Sequence, residues 1–333
     1  MRRARQIKIK TKPRLIPVKT LLALQFKRTK RAINGVLLLD KPLGFSSNQA
    51  LQKVKWLFSA AKAGHTGTLD PLATGLLPIC LGEATKFAQY VTDADKTYFA
   101  TIKLGATTTT GDAEGKVLTT APVNVNQTEF ESACTQFLGE ISQMPPMYSA
   151  LKHEGRALYE YAREGVNIER KARLITIQNI IVNTLNGDVA EITVNCSKGT
   201  YIRTLAEDIG AALGCGAHLI GLRRIETAGY LLSDAITIEQ LEALTQQDKD
   251  AILLPVDSAI ENLPKIVLSA DAAHFLMLGQ VVWMDGNHLA KLSVGDDMRL
   301  YDESNQFLGL GLLQDHGKIA PKRLIQRNGT KKS

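Results

Sequence analysis

No aspartate or glutamate appears before Asp40. Residues 1–34 hold twelve lysines and arginines and no serine. The overall charge of +7 therefore belongs to this arm, because residues 35–333 carry 28 basic and 33 acidic side chains, a net of −5. A basic isoelectric point thus does not imply that the folded body binds nucleic acid. The arm is basic and acid-poor like an organellar transit peptide, but it lacks serine and has no continuous apolar core for secretion. Two readings stay open: a disordered arm that touches phosphates, and an artefact of start-site choice.

Other absences narrow the class. No run of about 18 apolar residues exists, so no transmembrane helix is expected. The four cysteines (Cys80, Cys134, Cys196 and Cys215) are far apart, with no CxxC pair. That argues against a zinc site or a disulfide framework and fits a reducing, cytoplasmic compartment. Internal repeats are also missing. What remains is a soluble chain of 333 residues, long enough for about two domains and a core that needs no staples.

Periodicity then places the elements. Ile33–Leu39 reads as a buried strand closed by a Lys41-Pro42 turn. Ser46 or Ser47 can cap a helix carrying Leu51, Val54, Leu57 and Phe58, with Lys53, Lys55 and Lys62 making a positive face. Leu76–Leu81 reads as a strand and Glu83–Val91 as one short helix. Residues 98–104 alternate, with Tyr98, Ala100, Ile102 and Leu104 on one face. Residues 105–115 form a polar loop containing Asp112, and Glu129–Leu138 has helical spacing. Two β-rich runs, 174–185 and 189–196, flank Asn186-Gly187-Asp188, a strong hairpin signal. Tyr201–Leu213 reads as a helix, Leu219–Ile225 as an apolar-basic segment, Ile238–Leu244 as a short helix and 255–264 as a linker. From Lys265 onward, short strands between glycines suggest a small β-rich module. Residues 144–173 interleave Tyr148, Tyr159 and Tyr161 with cations, which suits stacking and phosphate contact on RNA, although composition alone favours an amphipathic excursion with a solvated charged face.

One stretch concentrates chemistry: Gly64-His65-Thr66-Gly67-Thr68-Leu69-Asp70-Pro71-Leu72-Ala73-Thr74-Gly75-Leu76-Leu77. Glycines permit close backbone approach, leucines anchor the loop, and Pro71 biases Asp70 away from helical geometry. No Gly-Lys-Ser/Thr follows, so this is not a P-loop. His65 and Asp70 have no third ligand nearby, so it is not a metal cage. Alone, an Asp before Pro is most often a turn former.

The full stretch, however, closely resembles the signature of the bacterial tRNA pseudouridine synthase B family. Residues 35–42, Met147-Tyr148-Ser149-Ala150-Leu151-Lys152 and Cys196-Ser197-Lys198-Gly199-Thr200-Tyr201-Ile202-Arg203-Thr204 continue it, over roughly residues 33–325. The resemblance implies an α+β fold. Its mixed, largely antiparallel sheet with flanking helices would occupy 33–258, a thumb-like insertion about 147–173, and a small β-rich PUA-like domain 265–328. It implies isomerisation of uridine-55 in the TΨC arm of tRNA, with no cofactor, metal, guide RNA or membrane, by a monomer; a tRNA-folding chaperone role is the reading of a different class. By position, Asp70 matches the nucleophile, Arg203 the cation that pairs with it, and Tyr98 the base-stacking residue that is a candidate for the late proton abstraction at C5. Leu222 matches the apolar wall, His65 the wedge that fills the flipped nucleotide's place, and Lys41 a basic residue near the site, in a structural or an RNA contact. Lys152 and Asp112 complete the expected substrate-binding set. One departure stands out: Thr108-Thr109-Thr110 occupies a place where the family commonly reads Thr-Asp-Thr.

Overall fold

Strict alternation on two strands decides the centre of the fold. In Gly35–Lys41 (β1), Leu37 and Leu39 join one hydrophobic core while Val36 and Leu38 join another. Ala73–Leu81 (β3), beyond the short Ala63–His65 (β2), repeats the pattern with Leu77 and Ile79 on one face and Leu76 and Cys80 on the other. Strands with period-two side chains and both faces apolar must lie inside a covered sheet. The computed structural model describes residues 29–284 and 292–326 of the chain. The readings of the basic arm over residues 1–28, and of residues 285–291 and 327–328 of the C-terminal domain, lie outside the described residues.

The central sheet adds Lys96–Leu104 (β4), Gly139–Gln143 (β5), Arg173–Asn186 (β6), Val189–Cys196 (β7), Ala217–Thr227 (β8) and Tyr230–Leu231 (β9). Its order is β1-β3-β8-β4-β7-β6-β5, with β2 on β3 and β9 on β8. β8 runs parallel to β3 and antiparallel to β4, and the other described pairs of this sheet are antiparallel. The segment read only as apolar-basic is thus the middle of an eleven-residue strand. The expected hairpin is present: Asn186 pairs with Val189 around a two-residue turn whose Gly187 has φ +60°, the conformation glycine adopts without strain.

Two helices matter for the site. Ser47–Leu57 (α1) is capped by Ser46, whose side chain accepts from Gln49 while Gln49 bonds back to Ser46. Ile202–Ala212 (α2) buries Ile202, Leu205, Ala206 and Ile209 at i, i+3, i+4 and i+7 against the sheet. The single helix expected over 83–91 is divided at Phe87 into a 3₁₀ turn, Gly82–Lys86, and an α-helix, Ala88–Asp93. Phe87 is fully buried and meets the Phe307 ring edge-on at 5.5 Å.

The C-terminal unit is a five-stranded sheet built from Lys265–Val267, Asp297–Tyr301, Phe307–Gln314, Lys318–Leu324 and Val282–Trp283, in that spatial order. Residues 255–264, expected as a linker, are packed: Val256–Ile260 is a 3₁₀ turn that buries Ala259 and Ile260 in the core shared with Leu310. Apolar residues in a proline-bounded stretch had an interior to fill. Residues 144–173 form a small hairpin, Lys152–His153 with Arg156–Ala157, and the helix Leu158–Arg163. Two of its cations serve the segment itself: Arg156 pairs with Glu160 and Glu164 and lies 4.7 Å over the Tyr161 ring, and Arg163 lies 5.3 Å over Tyr159.

Candidate active site

The Asp70 loop joins β2 to β3 and is tied at four points. The Ser47 hydroxyl accepts from the Leu69 N–H at 2.7 Å and donates to the Leu69 carbonyl at 2.9 Å. Leu69 itself is buried. Thr66 bonds the Pro78 carbonyl through both its N–H and its hydroxyl, and the Pro71 carbonyl accepts from Gly44 N–H at 2.9 Å. Asp70 contributes its own carbonyl to the Ala73 N–H at 3.1 Å. The backbone is therefore fixed while the Asp70 side chain stays 43% exposed. A rigid loop thus presents an open carboxylate with its backbone already in place.

Arg203, at the start of α2, is only 6% exposed and is held on every side. Its Nη2 lies 2.8 Å from Asp70 Oδ2 and donates to the Tyr148 carbonyl at 2.6 Å. Nη1 donates to the Thr110 carbonyl at 3.0 Å, and Nε stands 3.6 Å from Asp112 Oδ2. Asp112 is buried, with Thr110 Oγ1 and the Glu114 N–H donating to its Oδ1. A planar guanidinium shared between two carboxylates orients the exposed one without rotamer freedom.

Strand register brings the remaining walls together. β8 lies between β3 and β4, so Leu222 faces Ala73 on one side and Ala100 on the other. Two residues along, Arg224 pairs with Gly75 and with Tyr98. The result is a cavity of about 290 Å³ lined by Asp70, Tyr98, Arg203, Leu222, Lys96 and Arg224 among others. It is at the small end of ligand cavities. Gly75 makes the pairing possible: at φ +96°, a Cβ there would stand 2.4 Å from the Arg224 carbonyl oxygen. Burial pushes the Tyr98 phenol up, against the charge of Arg224. Among the described residues, no group of three or more His, Cys, Asp and Glu side chains is placed to hold a metal ion. No helix among them is long and apolar enough to cross a membrane.

Comparison with known proteins gives matches along most of the chain. Residues 55–202 match the TruB family pseudouridylate synthase N-terminal domain, 203–261 the tRNA pseudouridylate synthase B C-terminal domain, and 264–325 the C-terminal region of pseudouridine synthase II TruB. The chain is 60% identical over 306 residues to the tRNA pseudouridine synthase B of Methylobacillus flagellatus, covering 92% of this chain and 100% of that relative. The chain belongs to the TruB family. Another member, tRNA pseudouridine synthase B of Neisseria meningitidis serogroup B, is 53% identical over 288 residues, 86% of this chain and 92% of the relative. Among solved structures, a Cbf5-Nop10-Gar1 complex matches with a TM-score of 0.66 and 26% identity, over 88% of this chain and 84% of the matched one. The pseudouridine synthase fold is thereby established.

Within this TruB-family site, not every residue singled out by sequence lines the cavity. Lys41 is fully buried, and its Nζ donates to the Pro42 and Phe45 carbonyls, so it braces the turn beside the Asp70 loop and is closed to RNA. Asp112 touches Arg203 and is likewise inaccessible. His65 sits on β2 outside the cavity lining, with Nδ1 buried and unpartnered; burial, then the Arg224 charge, lowers its pKa. Lys152 is exposed on the hairpin next to Leu151, which does line the cavity. Thr109 points away: its hydroxyl accepts from Lys116 N–H and closes the 105–116 loop. Three contributors went unnoticed in the sequence. Arg224 and Lys96 are buried cavity cations, and Gln143 clamps Tyr201 by accepting from its N–H at 2.8 Å and donating to its carbonyl at 3.1 Å. Arg224 stands beside a second arginine in β8 and Lys96 opens β4 among threonines and Lys103, so neither cation stood out from its strand.

Proposed function

We propose that the chain is a tRNA pseudouridine synthase that isomerises uridine-55 in the TΨC loop, acting as a cytoplasmic monomer without guide RNA. The observation that carries this reading is the half-exposed Asp70 carboxylate, held 2.8 Å from buried Arg203 at the mouth of a base-sized cavity. The names of its relatives, tRNA pseudouridine synthase B, supply the substrate class.

Isomerisation must break the N1–C1′ bond, turn the uracil and join C5 to C1′. Asp70 acts as the nucleophile, at C1′ or at C6 of the base, and its bond to the substrate breaks again before product leaves. Arg203 holds it as the anion and aims it. Tyr98 stacks on the flipped base and removes the C5 proton, and Leu222 closes the opposite wall. His65 fills the gap left by the extruded nucleotide, since unstacking costs a few kcal/mol. Lys152 and the 147–173 segment close on the TΨC arm, with the C-terminal unit acting as a PUA-like RNA-binding domain. That the segment expected to contact RNA, 147–173, belongs to this same chain supports action without a guide.

Mapping pseudouridine on unmodified tRNA after treatment with the pure protein, with no guide RNA present, tests the proposal. Conversion at position 55 is expected. Absence of conversion, or conversion at another position alone, refutes it.

A further inference from the structure

Arg224 is a fully buried cation with no carboxylate partner among the described residues. Its Nε donates to the Leu76 carbonyl at 2.7 Å, and Nη2 to the carbonyls of Gly67 at 3.1 Å and Thr66 at 3.5 Å. Three carbonyls lock the guanidinium plane but do not neutralise it. Nη1 is buried and hydrogen-bonds nothing. It lies beneath Gly67, 3.1 Å from where a Cβ would stand there. A buried, unpaired charge is expensive unless an anion forms beside it during function.

The register names the neighbour. Arg224 is the cross-strand partner of Tyr98, and both line the cavity. Whichever atom Asp70 attacks, a base must take the proton from C5 after rotation. We infer that Arg224 is a positioning residue for that step, its unpaired guanidinium stabilising the Tyr98 phenolate that removes the C5 proton. The inference rests on the reading of Tyr98 as the base. When Asp70 has attacked C1′, the phenolate oxygen bonds the proton, the C5–H electron pair becomes the C5–C6 double bond and the C6–N1 π pair shifts onto N1; when it has attacked C6, the same C5–H pair expels the Asp70 carboxylate from C6. N1 takes a proton from solvent, and the phenol returns its own to solvent. The net change moves one proton from C5 to N1.

Other charges around Tyr98 leave the task to Arg224. Asp70 and Cys196 also face it, and as anions both would raise it. Burial pushes the Cys196 thiol up to about 12, so it stays neutral. Lys96 directs its ammonium to the carbonyls of Val91, Thr92 and Ala94.

The test compares single-turnover rates on unmodified tRNA for wild type, Arg224→Gln, Tyr98→Phe and the double variant, with ordinary or 5-deuterated target uridine. Arg224→Gln is expected to slow conversion about a hundredfold and to enlarge the deuterium isotope effect, because deprotonation becomes limiting. In the Tyr98→Phe background the same change should cost less than about threefold. Equal losses in both backgrounds, or an isotope effect unchanged from wild type, overturn the inference. Full activity in Tyr98→Phe instead overturns the assignment of Tyr98, a separable result that removes both. Should Arg224→Gln fail to fold, Arg224→Lys takes the same isotope measurement: an enlarged effect supports the inference and an unchanged one overturns it.

Discussion

Ser47 holds both backbone groups of Leu69 with one hydroxyl, accepting from its N–H at 2.7 Å and donating to its carbonyl at 2.9 Å. The pair spans 22 residues and is buried, so α1 and the Asp70 loop move as one body. In the sequence Ser46 and Ser47 are interchangeable as helix caps. The structure divides the work: Ser46 caps and Ser47 anchors the loop.

Ser47→Ala is therefore expected to strand two buried backbone groups and lower stability by about 1–3 kcal/mol. The Asp70 carboxylate loses its fixed aim, so kcat should fall more than KM rises. Thermal denaturation and steady-state kinetics on unmodified tRNA check both parts; an unchanged melting temperature would show that the tie is idle.

Gly75 and Gly44 separate crowding from backbone strain. Both have positive φ, +96° and +81°, but a Cβ at Gly75 meets Arg224 backbone atoms at 2.4 and 2.9 Å, while one at Gly44 meets nothing within 4 Å. Gly44→Ala should destabilise by about 1 kcal/mol. Gly75→Ala adds a clash between β3 and β8 and should lose more, with activity falling as the cavity wall shifts. Chemical denaturation of the two variants gives the comparison, and equal losses would contradict it.

Lys41 makes stability depend on pH in an unusual direction. Burial pulls its ammonium down to about 8 from an ordinary 10.5. The unfolded chain thus binds the proton more tightly than the folded one between these values, and folding becomes more favourable as pH rises through that window. The stability difference between wild type and Lys41→Met should shift in favour of wild type by roughly 2–3 kcal/mol from pH 7.5 to 10.5. A flat difference would mean that Lys41 keeps its ordinary affinity for protons. Subtracting the variant removes the opposing effect of the buried thiols.

Deleting residues 1–32, with their dense positive charge, should weaken tRNA binding chiefly at low salt. Counterion release governs such contacts, so the slope of log affinity against log salt becomes shallower. Filter-binding titrations at several salt concentrations measure it, and an identical slope would show that the arm does not touch RNA.

How legible this was depended on how far each signal reached along the chain. Asp70 and Arg203 were readable because each sits inside a dense local motif, and the long stretch of chain between them does not blur either. The hairpin at Gly187 was readable because a two-residue turn is written in its own residues. Arg224 was not, because it becomes interior only when β8 inserts between β3 and β4, a parallel pairing with β3 that no local pattern encodes. Gln143 and Tyr201 meet through strand order alone, 58 residues apart. The 255–264 stretch looked like a linker because its prolines were visible and the cavity awaiting Ala259 and Ile260 was not. Lys41 was placed near the site, and only burial showed that it braces a turn.

The central claim is that Asp70 performs the chemistry. Asp70→Asn preserves shape and hydrogen-bonding reach while removing the nucleophilic anion. The most direct measurement is pseudouridine formation and tRNA affinity on the same preparation of this variant. The account predicts no conversion, with affinity within about threefold of wild type because the carboxylate is one contact among many. Conversion at the wild-type rate would contradict it.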